Sequence, residues 1–146
     1  MNTGEVLRCN QGSKRVLTLN RPKSLNALNL NMIREMYPLL KKWDTSPKVS
    51  MVVIKGASDK AFCAGGDEYQ LVNLINTFSK PFVALIDGIV MGGGCGVSLN
   101  GQFRVATERT VLSMPETALG LFPDVGAGYF FSRMKYNLGL LNNVIG

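Results

Sequence analysis

The sequence predicts an α/β fold, and three observations carry that expectation. Short apolar runs rich in strand formers, such as Met51-Val52-Val53-Ile54 and Phe82-Val83-Ala84-Leu85-Ile86, read as buried strands. Between them lie segments with apolar residues at three- and four-residue spacing, the pattern of an amphipathic helix. Glycine clusters stand after two strand candidates, as Gly65-Gly66 and Gly92-Gly93-Gly94. Strands alternating with helices belong to α/β architectures. With neither a linker nor an internal repeat, residues 1–146 are expected to form a single domain.

Taken in order, Glu5 to Asn10 and Arg15 to Asn20 alternate well enough to be two strands, joined by a turn at Gln11-Gly12-Ser13-Lys14. Arg21-Pro22-Lys23 ends the second. Asn29 is placed to cap a helix from Leu30 to about Trp43, with Leu30, Ile33, Tyr37 and Leu40 as its apolar stripe. Pro38 should kink that helix or remove one hydrogen bond. Ser46-Pro47 breaks the chain before the Met51 strand. Ala61-Phe62-Cys63-Ala64-Gly65-Gly66-Asp67 is a strand-to-glycine junction, and Leu71 to Phe78 a short helix. The Phe82 strand is expected to deliver the chain into Met91-Gly92-Gly93-Gly94-Cys95-Gly96, where a helix carrying Cys95, Val97 and Leu99 begins. Strands at Phe103 to Ala106 and Thr110 to Ser113 follow, then a helix opening at Gly126 to Phe131.

Composition narrows the chemistry. Sixteen basic against 10 acidic residues leave a net charge of +6, with the bases scattered along the chain. Two readings stand: a solvated basic surface, or a polyanionic ligand such as a nucleotide-bearing cofactor. No basic stripe interleaved with aromatics argues for nucleic acid, and no apolar run approaches membrane-spanning length. Cys9, Cys63 and Cys95 are odd in number and form no CxxC pair, which points to a reducing compartment and away from a disulfide framework or a zinc site. The sequence contains no histidine. That absence removes Ser-His-Asp and Cys-His catalysis, so acid–base work falls to carboxylates, tyrosine or lysine. Met1 to Glu5 shows no targeting pattern.

The glycine runs match neither GxGxxG nor a phosphate loop ending in Gly-Lys-Ser/Thr. They serve tight packing, or they form two loops that each offer one N–H to the same oxygen, an oxyanion hole. Glu116 follows Pro115 and precedes Ala118-Leu119-Gly120-Leu121, so it is either a loop carboxylate or a group suited to proton transfer. Asp67 and Asp124 read as helix caps or as site residues. Cys95, with no histidine to activate it, reads as a small buried apolar residue.

Four segments together carry a resemblance. Leu19-Asn20-Arg21-Pro22-Lys23-Ser24-Leu25-Asn26-Ala27-Leu28, Ala61 to Asp67, Met91 to Gly94 and Met114-Pro115-Glu116 resemble the enoyl-CoA hydratase/isomerase (crotonase) superfamily. A closer resemblance runs through Gly101 to Thr107 and Met114 to Gly126, to the branch that hydrolyses 3-hydroxyacyl-CoA thioesters in valine breakdown, and covers nearly everything from Glu5 to Phe131. It implies a crotonase-like ββα spiral and a small-molecule acyl-CoA substrate, with CoA part of that substrate and neither a separate cofactor nor a metal. It also implies that the N–H groups of Gly66 and Gly93 form the oxyanion hole. Lys23, Ala64, Gly65, Gly66 and Gly93 would bind the CoA ester, Glu116 would act as nucleophile or activate water, and Asp124 would lie near the substrate's hydroxyl end. Hydratases carry a second glutamate two residues after the glycine triplet; here that position is Gly96, which favours hydrolysis. Another reaction of the superfamily, such as isomerisation, and a non-catalytic CoA-binding role stay open. Two departures mark the chain as an expected incomplete member. Only twelve residues separate Asp67 from Lys80, where the family has a longer helical segment with a further substrate-contacting glutamate, and the C-terminal helical region is not represented. A mitochondrial location, and a homo-oligomer in the full-length parent, are implied by resemblance alone.

Overall fold

The computed structural model describes residues 4–66, 69–116 and 120. Asp67, Asp124, the helix expected from Gly126 and the segment ending at Gly146 lie outside the described residues. The elements are β1 (Val6–Gln11), β2 (Lys14–Leu19), α1 (Leu30–Thr45), β3 (Met51–Gly56), β4 (Ala61–Ala64), α2 (Tyr69–Asn76), β5 (Phe82–Ile86), β6 (Ile89–Met91), α3 (Gly93–Leu99), β7 (Phe103–Ala106) and β8 (Val111–Ser113). They build a five-stranded sheet, ordered β1-β2-β3-β5-β7, and a three-stranded sheet, ordered β4-β6-β8.

The topology is a spiral. From β3 onward each turn of chain places one strand in the larger sheet, then one in the smaller, then a helix: β3–β4–α2, β5–β6–α3, and β7–β8 of the next turn. All pairings from β2 onward are parallel, whereas β1 and β2 form an antiparallel hairpin closed at Gly12-Ser13, tighter than the four-residue turn the sequence pattern implies. Each crossing between sheets needs a sharp turn. At Gly88, φ is +72° and an added Cβ would lie 2.4 Å from the Lys60 carbonyl oxygen, so only glycine fits there. Beside it the Asp87 carboxylate accepts from Thr107 Oγ1 at 2.6 Å and from Arg109 Nε at 3.1 Å, tying this crossing to the next one. The Arg109 guanidinium holds the Asp87 carboxyl below the usual carboxylate range, with the Thr107 hydroxyl adding to it.

One strand was not legible beforehand. The run from Phe82 does not lead straight to the glycines: β5 ends at Ile86, the chain crosses to the other sheet, and β6 intervenes before Gly92. Three residues are too few for a hydrophobic period, and β6 exists because β4 and β8 flank it on both sides.

Helix α1 starts where Asn29 Oδ1 accepts from the Met32 N–H at 2.9 Å, as the cap pattern implies. It runs through Pro38, which lies on the exposed side, and continues to Thr45. Its buried face corrects the expected stripe. Met32, Met36, Leu40 and Trp43 point inward, while Leu30 is 58% exposed and Ile33 and Tyr37 are half-buried. Both sets satisfy helical spacing and share Leu40; the inward side is decided by which set meets the core. There the four residues join Leu17 and Leu19 of β2, Val52 and Ile54 of β3, and Phe82, Ala84 and Ile86 of β5 in one apolar cluster. Helix α2 begins and ends two residues earlier than Leu71 to Phe78, burying Leu71, Val72 and Ile75. No helix among the described residues is long and apolar enough to cross a membrane.

Candidate active site

The three-stranded sheet positions the site. Parallel pairing brings Ala64 beside Met91 and Met91 beside Ser113, so the C-terminal ends of β4, β6 and β8 lie in a row. The chain leaves those ends as Gly65-Gly66, as Gly92-Gly93 and as Met114-Pro115-Glu116. Three segments far apart in sequence therefore emerge side by side, at the strand edge where open parallel sheets place their ligands.

Each exit has its own backbone requirement. Gly65 and Gly66 have φ of +125° and +123°, conformations closed to residues with a side chain. Gly92, with φ +49° and ψ −123°, is the N-cap of α3 and donates its N–H to the Ser113 carbonyl. An added Cβ on Gly92 would stand 2.9 Å from Glu116 Oε1 and 3.7 Å from the Gly65 Cα. The glutamate thus abuts the Gly92 turn, and the same turn lies against the Gly65 loop. Helix α3 is buried along its whole length and packs against β4, β5, β6 and α2. Gly94 makes this possible, because a Cβ there would lie 2.0 Å from the Cys63 carbonyl oxygen. Close approach accounts for Gly94 and Gly88, while Gly65, Gly66, Gly92 and Gly93 line the strand exits.

At the helix start the first N–H groups have no intrahelical partner. Among the described residues the N–H groups of Gly66 and Gly93 donate to no acceptor, which leaves them available to a ligand oxygen. Glu116 is half-buried, and its Oε2 is fully buried with no hydrogen-bond partner among the described residues. A buried carboxylate oxygen without a donor is costly, and active sites are where that cost is tolerated. Cys95, on α3, packs against β6 and β8, its Sγ 3.6 Å from the carbonyls of Val90 and Ser113. Burial pushes the Cys95 thiol up to about 12, with the charges of Glu116 and Cys63 adding, so it stays protonated and serves as packing.

The loop bearing Lys23 is clamped to this edge. Ala64 N–H donates to the Leu25 carbonyl at 3.0 Å, and Leu28 N–H donates to the Gly65 carbonyl at 3.0 Å. Asn26, fully buried, is the keystone: its Nδ2 donates to the Ala61 carbonyl at 2.8 Å and its Oδ1 accepts from Arg21 N–H at 2.9 Å. Leu25 and Asn26 both have positive φ, 49° and 56°. Sequence reasoning assigned Asn26 no role, although an asparagine in a proline-containing turn is a known occupant of that left-handed region. Lys23 sits exposed on the short 3₁₀ turn Pro22–Ser24 of this loop. The structure thus brings Lys23, Ala64, Gly65, Gly66, Gly93 and Glu116 to one end of the smaller sheet, and Gly96 lies buried inside α3.

Comparison with known proteins fits this arrangement. A family model described as enoyl-CoA hydratase/isomerase matches residues 14–68 and 67–145. The mitochondrial 3-hydroxyisobutyryl-CoA hydrolases of Danio rerio and Rattus norvegicus are 55% and 54% identical over 93% and 94% of this chain. The alignment covers 41% of each, so the chain spans about two fifths of the length of these curated relatives. Among solved structures, an enoyl-CoA hydratase from Rhodobacter sphaeroides superimposes with a TM-score of 0.86 at 34% identity, covering 94% of this chain and 47% of that one. A carnitinyl-CoA dehydratase from Mycobacterium thermoresistibile gives 0.85 at 38% identity, over 94% and 47%. The spiral of paired sheets, the glycine exits and the family match agree: the chain belongs to the enoyl-CoA hydratase/isomerase family and has the crotonase fold.

Proposed function

We propose that this chain carries the oxyanion and carboxylate half of a CoA-thioester hydrolase acting on 3-hydroxyisobutyryl-CoA, the substrate in the names of its relatives. The observation that carries this reading is Glu116, whose Oε1 abuts the Gly92 turn and whose Oε2 is buried without a partner. In this reading residues 1–146 act as one partial crotonase-like domain and use no cofactor beyond the CoA of the substrate. Lys23 pairs with a CoA phosphate. The N–H groups of Gly66 and Gly93 donate to the thioester carbonyl oxygen and take up the negative charge that develops when the carbonyl carbon is attacked.

Attack comes from Glu116 itself, or from a water whose proton Glu116 accepts. The tetrahedral adduct collapses by breaking the C–S bond, and the CoA thiolate leaves and is protonated. In the first route water then cleaves the acyl-glutamate and restores the carboxylate. Solvent oxygen-18 recovered in Glu116 would come from water attacking the glutamyl carbonyl of that acyl-glutamate anhydride, and no step of the second route places it there. Asp124 takes the role of orienting the 3-hydroxyl group. With Gly96 where hydratases carry a second carboxylate, addition of water across a double bond lacks its partner group. A mitochondrial setting follows the names of the relatives.

The test is release of free thiol from 3-hydroxyisobutyryl-CoA. Glu116→Gln should lower kcat by about 100-fold or more while CoA binding, read by a thermal shift, persists. Turnover retained in a folded Glu116→Gln variant would sink the assignment.

A further inference from the structure

The charge balance is only partly accounted for by Lys23. At the far end of α1, about 24 Å of helix away from the capped end beside the glycine loops, lies a second basic locality. An open depression of about 480 Å³ is lined by Arg8, Arg15, Lys42 and Lys48, with Trp43 and Val49 among its other walls. Its volume falls within the range of small-molecule sites.

The strand pattern explains why these cations meet. Arg8 pairs across the hairpin with Leu17, and Arg15 with Asn10, so both arginines sit on the face of the sheet whose other members are core residues. They occupy the end of that face where the sheet runs past the core, and α1 delivers Lys42 and Trp43 to the same place. Among the described residues no carboxylate forms an ion pair with any of the four cations. Among the described residues the Arg15 guanidinium donates only to the carbonyls of Gly12 and Lys14. The C-terminal end of a helix would ordinarily repel an anion. Here the Lys80 ammonium donates to the carbonyls of Trp43 and Ser46, and Ser46 N–H donates to the Trp43 carbonyl, so that end is neutralised. Four like charges around one concavity repel one another unless a counter-charge sits between them.

We infer that this depression is a binding site for a polyphosphate anion, separate from the strand-end site. Two cationic side chains from the hairpin and two from α1 and the turn after it would grip successive phosphates. Trp43 and Val49 supply an apolar wall for whatever the phosphates are attached to.

Trp43 is the one tryptophan of the chain, so it reports on this place alone. Inorganic tripolyphosphate is titrated into the 146-residue chain at constant ionic strength, with Trp43 emission and calorimetric heat recorded in parallel. The expected result is saturable binding by calorimetry, with half-saturation below about 1 mM, accompanied by a change in emission. Lys42 and Lys48 are exposed, and the Lys42→Ala/Lys48→Ala pair should raise the half-saturation about tenfold, with Lys42→Arg/Lys48→Arg restoring it. Lys23→Ala should leave the Trp43 titration unchanged. Tighter binding of ATP than of tripolyphosphate by calorimetry would assign a nucleoside polyphosphate, and equal binding the phosphate chain alone. Absence of saturable binding, equal affinity in the alanine pair, or loss of the signal in Lys23→Ala would each overturn the inference. None of these outcomes depends on hydrolase turnover.

Discussion

Large side chains fill the inner face of the five-stranded sheet, with Leu17, Val52, Ile54 and Phe82 each almost fully buried, whereas two strands of the three-stranded sheet exit into Gly65-Gly66 and Gly92-Gly93, which carry no side chains. The contrast is one of task. The larger sheet and α1 remove apolar area from water, the dominant favourable term in folding. The smaller sheet spends three or four residues per strand to align three chain exits, and its tightest contact, Gly94 against the Cys63 backbone, sets the position of α3. Most of the large, fully buried side chains thus lie in the larger sheet and α1, and the aligned chain exits in the smaller sheet, the two joined through a core that includes Phe62 of β4 and Val90 of β6.

The comparison breaks if a core substitution harms the site as much as the fold. Met36→Ala, on the buried face of α1, should cost about 3 kcal/mol of stability, roughly 10 °C in Tm. Its kcat at a temperature where the variant is folded should stay within about twofold of the parent. Equal losses in both would mean that the two sheets do not divide the work.

Gly94→Ala tests the converse. Its Cβ would overlap the Cys63 carbonyl oxygen, so α3 must shift. Stability should fall by about 2 kcal/mol, less than for Met36→Ala, but thiol release should fall by about tenfold or more because the Gly93 N–H moves with the helix. Urea unfolding and kcat measured on the same preparation separate the two effects.

The smallest effect concerns Cys95. Burial raises its thiol from the ordinary 9.0 to about 12, so the folded state holds this proton to higher pH than the unfolded chain does. The associated stability is fully present below about pH 9 and is lost as pH rises towards 12. Cys95→Ala should flatten that part of the urea-midpoint profile. An unchanged slope would show that other groups carry the alkaline loss. In the native protein Ellman's reagent should label Cys9, which is exposed, well before Cys63 and Cys95.

Much of the fold was legible locally. Alternation in β1 and β2, the apolar runs of β3 and β5, and the Asn29 cap are signals carried by neighbouring residues, and the structure keeps all of them. The face of α1 was misread because two stripes obey helical spacing and only the sheets decide which is inside. Strand β6 was missed because three residues carry no period. Asn26 passed unassigned because its role, holding the Lys23 loop to β4, is a contact across 35 positions of sequence.

At the site the division is similar. By itself the sequence determined which chemistry was available: with no histidine, acid–base work had to fall to other groups such as carboxylates, and the glycine clusters marked where the backbone could approach a ligand. Only the tertiary structure decided that Gly65-Gly66, Gly92-Gly93 and Glu116 meet, because parallel pairing of β4, β6 and β8 places three strand ends in one row. It also decided which glycines pack and which stay open, and it gathered four scattered cations around Trp43. The physical reason is common to both cases. Residue type sets what a group can do, and that is local; proximity between distant segments is paid for by burial of the whole core, which no short window of sequence contains.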